Sequence, residues 1–422
     1  MTRHITRALL GTGAVLITGA LTLTGCGSGF ADDGGESAGG GGGGGGGLTS
    51  SDDALTMLIG SSGDAETAAV QQALDDWSAD SGTEVSLQVA SDLGQELSQG
   101  FAAGEPADLF YLSTDQIAGF ASNGSLQAYG DELGNKDDFY PSLVENFTID
   151  DTFYCAPKDF STLALVINTQ MWTEAGLTDA DLPKTWDDLA AVAKKLTTAD
   201  HVGLAFGAEY QRVGTFMAQA GGGLVRDGEA IADDEANVEA LEYVKSHLAD
   251  GTFAFAKDVG AGWGGEALGK GAAAMVIEGN WITGAMSNDY SSIDYTVAEL
   301  PEGPGGKGTL QFTNCWGMAA DSPNQQAALD LIEYLTSSDS QLAFSKAFGP
   351  MPSIKSAADA WTSDNPDLAA FLAGADYAQF PPNQDGAADV IADFNAQLES
   401  LKTGDPATIL GSVQSNLEAI VG

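Results

Sequence analysis

Basic residues are scarce in this chain. Sixteen lysines and arginines stand against 60 aspartates and glutamates, a formal net charge of −44. A surface so acidic repels the phosphates of nucleic acid and the headgroups of anionic lipids, so no nucleic-acid partner is expected. Histidine is also thin, with three in 422 residues. His201 lies in the polar loop "TADHVG" and His247 near the exposed edge of the helical stretch "VEALEYVKSHL". Neither belongs to an H-E-x-x-H or another metal-ligand spacing. There is no G-x-S-x-G elbow and no Cys-x-x-Cys. No catalytic residue, metal site or cofactor is therefore expected. Glycoside hydrolysis needs two placed carboxylates, and nothing singles out a pair among the 60 acids.

The amino terminus supplies a location. "MTRHITRALLGTGAVLITGALTLTGC" has a basic start at Arg3 and Arg7, then apolar or small residues from 8 to 23, and ends at Cys26. The apolar run is short and rich in Gly and Thr, which fits a secretory signal over residues 1–25 rather than a spanning helix. The L-x-G-C ending resembles the lipobox of bacterial lipoproteins. That resemblance makes Cys26 the first residue after cleavage and places lipid on its sulfur. Residues 26–52 then form a Gly-rich tether, with an unbroken glycine run from Gly39 to Gly47. Such a chain cannot bury apolar surface, and its 27 residues reach roughly 30 Å. The expected location is the outer face of the cell membrane.

This location bears on one motif. Gly264, Gly269 and Lys270 fit the G-x-x-x-x-G-K spacing of a phosphate-binding loop. Gly271 stands where that loop needs Ser or Thr for magnesium, and an exported protein meets little ATP. The stretch reads instead as a turn between a helix and the buried strand "AAAMVIEG".

From Asp53 onward 370 residues remain, more than one core comfortably holds, so two lobes are expected. No internal repeat is visible. Strand-like and helical segments alternate, which gives an α/β class. "ALTMLIGSS" and "DLFYLS" read as buried strands, and "EVSLQV" alternates as a strand should. "ETAAVQQALDDW", "NQQAALDLIEYL" and "VIADFNAQLESL" are amphipathic helices. Thr185 and Asp188 make a capping box for "TWDDLAAVAKKL". Trp77, Trp172 and Trp186 fit helix packing. With Cys26 assigned to lipid, Cys155 and Cys315 remain in a compartment where disulfides persist and are expected to bridge; the alternative is two buried thiols.

Several segments together resemble a family. "YCAPKDFSTLALVINTQMW" resembles the Y-G-x-P and Y-N-x-x-x-F segment of maltose-binding-protein-like solute receptors that serve ABC importers. "EPADLFYLSTDQIAGFASNGSLQAY", "GKGAAAMVIEGNW", "CWGMAADSPNQQAALDLIEYLTS" and "KAFGPMPSIKSA" are similar to further segments of that family, in the same order. There are departures: Cys155 replaces a Gly, Ile167 stands where Tyr precedes Asn168, and Ala107 intrudes before Asp108. The resemblance implies a two-lobed periplasmic-binding-protein-like fold with hinge crossovers and an interlobe cleft. Lobe one is expected at 53–158 and 316–347, lobe two at 163–310 and 352–422, with crossings near Lys158–Thr162, Leu310–Cys315 and Phe348–Pro352. It further implies a monomeric, non-enzymatic receptor that delivers a carbohydrate, expected to be an oligosaccharide, to ABC permease subunits.

A sugar offers a C–H face to aromatics and a rim of hydroxyls to polar side chains. Trp281 sits at the family's cleft position, and Trp316 and Asp159 lie at crossings. Ser61, Asp64 and Tyr111 lie at strand ends, where Ser61 and Asp64 are alternatively helix caps. Trp263, Glu209, Tyr210 and Arg212 are further candidates, with Phe380 on the far rim. Two other readings stay open: a tethered secreted glycosidase, and a receptor for another solute such as a polyamine or metal chelate. The anchoring expectation has a direct test. Replacing Cys26 by Ser should move the protein from the membrane fraction into the medium; a variant that stays membrane-bound and lipid-labelled contradicts it.

Overall fold

A computed structural model describes residues 47–61 and 63–421. The signal segment, Cys26 and the tether up to residue 46 lie outside the described residues. The folded unit begins at Leu48, earlier than the expected end of the tether. Leu48 packs on a core, and Thr49 Oγ1 accepts from Gln325 N at 3.2 Å while Gln326 N donates to Thr49 O at 2.9 Å. Thr49 thereby satisfies amides at the start of the helix Gln325–Leu335, which would otherwise lack partners.

Two sheets organise the rest. The first has four strands in the order Asn314–Met318, Leu109–Ser113, Leu55–Ile59, Val85–Val89. The last three are parallel, and Asn314–Met318 joins antiparallel. The second sheet runs Phe253–Phe255, Val202–Phe206, Ala273–Gly279, Ser161–Asn168, Thr309–Phe312, Ala378–Gln379. Tyr295–Ala298 pairs with the far half of Ser161–Asn168. All eight residues of Ser161–Asn168 and all seven of Ala273–Gly279 are buried. Strands covered on both faces read as continuous apolar runs, as these two do. The architecture is the expected two-lobed α/β fold.

Three buried clusters follow from this layout. One packs around the first sheet and its helices; the other two contain residues from the strands of the second sheet. Trp77, Trp172 and Trp186 are buried in helix contacts, as anticipated. Thr185 and Asp188 form both halves of the capping box of Trp186–Leu196. The phosphate-loop mimic is a short helix, Gly264–Gly269, followed by a turn with Gly271 at φ 69°, a conformation that glycine adopts readily. Ile354 and Ala357, expected in the second lobe, pack in the core of the first.

The sheets are joined at one place. Thr313 alone separates Thr309–Phe312 in the second sheet from Asn314–Met318 in the first. Beside it runs 157–160, where Lys158 N donates to Asn314 O at 2.8 Å. Phe160 and Met351 exchange both backbone bonds, at 3.1 and 3.2 Å. Cys155 and Cys315 form a disulfide here, with Cα atoms 5.7 Å apart. The bridge spans 160 residues of sequence, so its removal should cost about 2–5 kcal/mol. Urea unfolding of the Cys155→Ser/Cys315→Ser variant should show that loss; an unchanged midpoint contradicts it.

Candidate functional site

A cavity of about 410 Å³ opens where the sheets meet. Its wall comes from the carboxyl ends of strands in both sheets. Gly60 follows Leu55–Ile59, Ser113 ends Leu109–Ser113, and Asn280 and Trp281 follow Ala273–Gly279. Its floor is the joining segments: Lys158 to Ser161, Phe312 to Asn314, and Phe348 to Pro350. Ligands of open α/β sheets sit at such strand ends.

One wall is built around Trp281. Its ring lies over Gly279, where an added Cβ would meet it at 2.4 Å, so no larger residue fits there without displacing the ring. Trp281 Nε1 donates to Glu278 Oε2 at 3.0 Å. Arg212 donates to the same carboxylate oxygen at 2.7 Å, reaches Glu209 at 2.8 Å, and sets its guanidinium 5.3 Å from the indole centroid. Phe312 meets the indole edge-on at 5.8 Å. Burial pushes the Glu278 carboxyl above the ordinary range, while Arg212 and the indole N–H pull it back. The ring is thus held from several sides, yet 39% of Trp281 stays exposed. Among the described residues only Val89 matches it as an exposed large apolar side chain.

The other wall is a charged cluster. Lys158 Nζ donates to Glu66 Oε1 at 3.1 Å and also to Asp159 Oδ2. Tyr111 donates its hydroxyl to Glu66 Oε1 at 3.0 Å. The ammonium lies 4.5 Å from the Tyr111 ring centroid and 5.3 Å from that of Phe348. Burial works against its charge, but Asp159 and Glu66 outweigh burial and hold the lysine above its ordinary range. The cavity lining therefore carries one base and two acids. Its one base is already engaged by both acids, which leaves a net negative lining that disfavours an anion and offers acceptors to hydroxyl hydrogens.

The structure brings Trp281, Asp159 and Tyr111 to this cavity, with Arg212 and Glu209 behind Trp281. Other expected residues go elsewhere. Trp316 is 1% exposed, packed edge-on against Tyr111 at 5.1 Å, because its strand has both faces covered; it offers no stacking face. Tyr210 is equally buried, its ring 6.0 Å from that of Phe394, and with Phe380 it borders a second cavity of about 380 Å³ that shares no lining residue with the first. Ser61 bonds to Gly63 and Thr67 at the start of the helix Asp64–Ser81, and Asp64 lies exposed in its first turn. Gly63 is the N-cap and no side chain caps this helix, so neither residue fills the capping role, and neither lines the cavity. Trp263 folds back over Gly265.

Lys158, Glu66, Glu278 and Asn280 are central here and were not singled out from sequence. Glu278 had a visible signal, an acid inside the apolar run "AAAMVIEG". Glu66 had none, since an acid in a helix's first turn is ordinary.

Residues 72–370 match the family described as bacterial extracellular solute-binding protein. The chain belongs to that family. It is 26% identical over 348 residues to a binding protein of Brucella abortus, covering 78% of this chain and 82% of that one. It is 27% identical over 307 residues to a diacetylchitobiose binding protein of Streptomyces coelicolor, covering 66% and 70%. Among solved structures it resembles the ABC substrate-binding protein of Listeria monocytogenes in complex with cycloalternan, with a TM-score of 0.76, 20% identity, and coverage of 87% of this chain and 98% of that one. Each of these relatives is described as a binding protein. Among the described residues no helix is long and apolar enough to cross a membrane.

The Arg212–Glu278 pair generates a prediction. Arg212→Met leaves a buried carboxylate without its cation and should cost about 3–5 kcal/mol. Adding Glu278→Gln should recover most of that loss in urea unfolding. Equal losses in the single and double variants would show that the ion pair is not what matters.

Proposed function

We propose that the chain is a receptor for a neutral carbohydrate, held in the cavity between the lobes and delivered to the membrane subunits of an ABC importer. The observation that carries this is Trp281: a tryptophan fixed by Glu278, Gly279 and Arg212, left partly bare at a cleft whose other wall is rich in hydroxyl acceptors. The indole covers the C–H face of one ring. Asp159 and Asn280 take hydroxyls, and Phe312 and Phe348 complete an apolar border. At about 410 Å³ the cavity lies in the range of small-molecule sites.

Two comparisons support the ligand class. The Streptomyces coelicolor protein is a binding protein for diacetylchitobiose, and the Listeria monocytogenes protein is in complex with cycloalternan; both are saccharides. In this reading the lobes close by hinge bending at the joining segments, and the closed form engages the permease. Cys26 carries the lipid that keeps the receptor, a monomer, at the membrane surface.

Calorimetry against mono- and oligosaccharides tests the reading. Trp281→Ala should fold, since the side chain is the most exposed of the cavity's aromatics, and should lose about 1–3 kcal/mol of sugar binding. Binding should vary little with salt, because no ion pair carries it. Tight binding of a polyamine or an anionic solute with every sugar silent would overturn the carbohydrate class and keep the receptor. Turnover of a chromogenic glycoside would favour an enzyme instead.

A further inference from the structure

The charged wall of the cavity has the chemistry of a cation site. Two carboxylates, Glu66 and Asp159, and two aromatic rings, Tyr111 and Phe348, converge on one point. Carboxylates beside aromatic faces are what hold an organic ammonium, by charge and by the ring quadrupole. Here the point is filled by the chain's own Lys158. Its side chain is 7% exposed, and Glu66 is also buried. The lysine comes from a joining segment, one ring and one carboxylate from the first lobe, and the other ring from the end of the helix Ser338–Phe348.

The backbone at this position does not call for a lysine. The backbone of residue 158 is held by its N–H bond to Asn314 O, which any residue but proline could make. The side chain instead answers a charge problem. Without it, two carboxylates would stand side by side on one wall of the cavity, and any solute ammonium small enough to enter would be drawn to them. With it, they are neutralised except for one net negative charge.

We propose that Lys158 is a resident cation that sets the ligand class: it occupies the acidic and aromatic box on the cleft wall, so the cleft rejects cationic solutes and takes neutral, hydroxyl-rich ones. This rests on the cleft being the ligand site. It explains how a chain with 60 acids keeps an interlobe cavity for a neutral ligand. It also makes Lys158 a positioning residue for Asp159, whose Oδ2 it holds while the carboxylate faces the cavity.

The test uses n-butylammonium as the probe, with sodium chloride at matched ionic strength as control, on the full soluble chain. In Lys158→Ala the probe should raise the unfolding temperature in a saturable way, and calorimetry should show one site. The wild type and Lys158→Met, in which the space stays filled, should show no shift beyond the salt control. If Lys158→Ala folds only when refolded with the probe, that supports the proposal. If it folds in neither condition, or shows no saturable shift, or if the wild type or Lys158→Met responds equally, the proposal is overturned. Sugar calorimetry on the wild type, run beside these, reports separately on the cleft: silent sugars with selective amine rescue in Lys158→Ala would overturn the carbohydrate reading and leave the resident cation in place.

Discussion

A single residue, Thr313, separates a strand of one sheet from a strand of the other, and the architecture of the cleft depends on that short link. With no slack between the sheets, the neighbouring segments must pass through the same spot. They pair there: Lys158 with Asn314, Phe160 with Met351, and Thr313 Oγ1 donating to Asp159 O at 2.5 Å. Unpaired backbone in so buried a position would be costly, so the crossings satisfy each other. The disulfide adds to this without locking it. Cys155 and Cys315 both lie in the core of the first lobe, so the bond staples two crossings on one side of the link and ties nothing in the second lobe.

Charge follows the same geometry. The chain has few cations, and two of them, Lys158 and Arg212, are placed at the cleft, each between two carboxylates. Buried pairs of this kind contribute little net stability compared with apolar packing, and losing one partner is expensive. Their value lies in orientation. Arg212 and Glu278 fix the edge of an indole, and Lys158 fixes a carboxylate and fills a space. The remaining acids lie mostly on solvated faces and keep the surface strongly negative.

Most of the fold was legible because it rests on local pattern. Apolar runs such as "LTMLI" and "AAMVI" become buried strands, and Thr185 with Asp188 starts a helix as their spacing requires. The site was legible only in part. Trp281 and Trp316 look alike in sequence, each beside a buried strand. Trp281 falls just past the last residue of its strand, where the chain turns out, while Trp316 sits inside a strand covered on both faces. That difference is one of tertiary covering, which periodicity does not report. Tyr210 was misplaced for a similar reason: a polar loop led into its helix, but Phe394 from a helix nearly two hundred residues later covers its ring. Lys158 and Glu66 are 92 positions apart, and no local signal joins them.

The contacts at the joint also say how a ligand would act on it. Lys158, in the crossing, is tied to Glu66 of the first lobe. Ser161, at the other end of the same segment, accepts from Asn280 N at 3.1 Å, and Asn280 Nδ2 donates to Gly349 O of another crossing at 2.9 Å. Asn280 precedes Trp281, and all of these residues except Trp281's supports line the same cavity. A solute in the cavity therefore touches the pivot and both lobes at once. If the lobes close on a ligand as proposed, binding and closure need no distant pathway between them, because residues that line the cavity also pair at the joint.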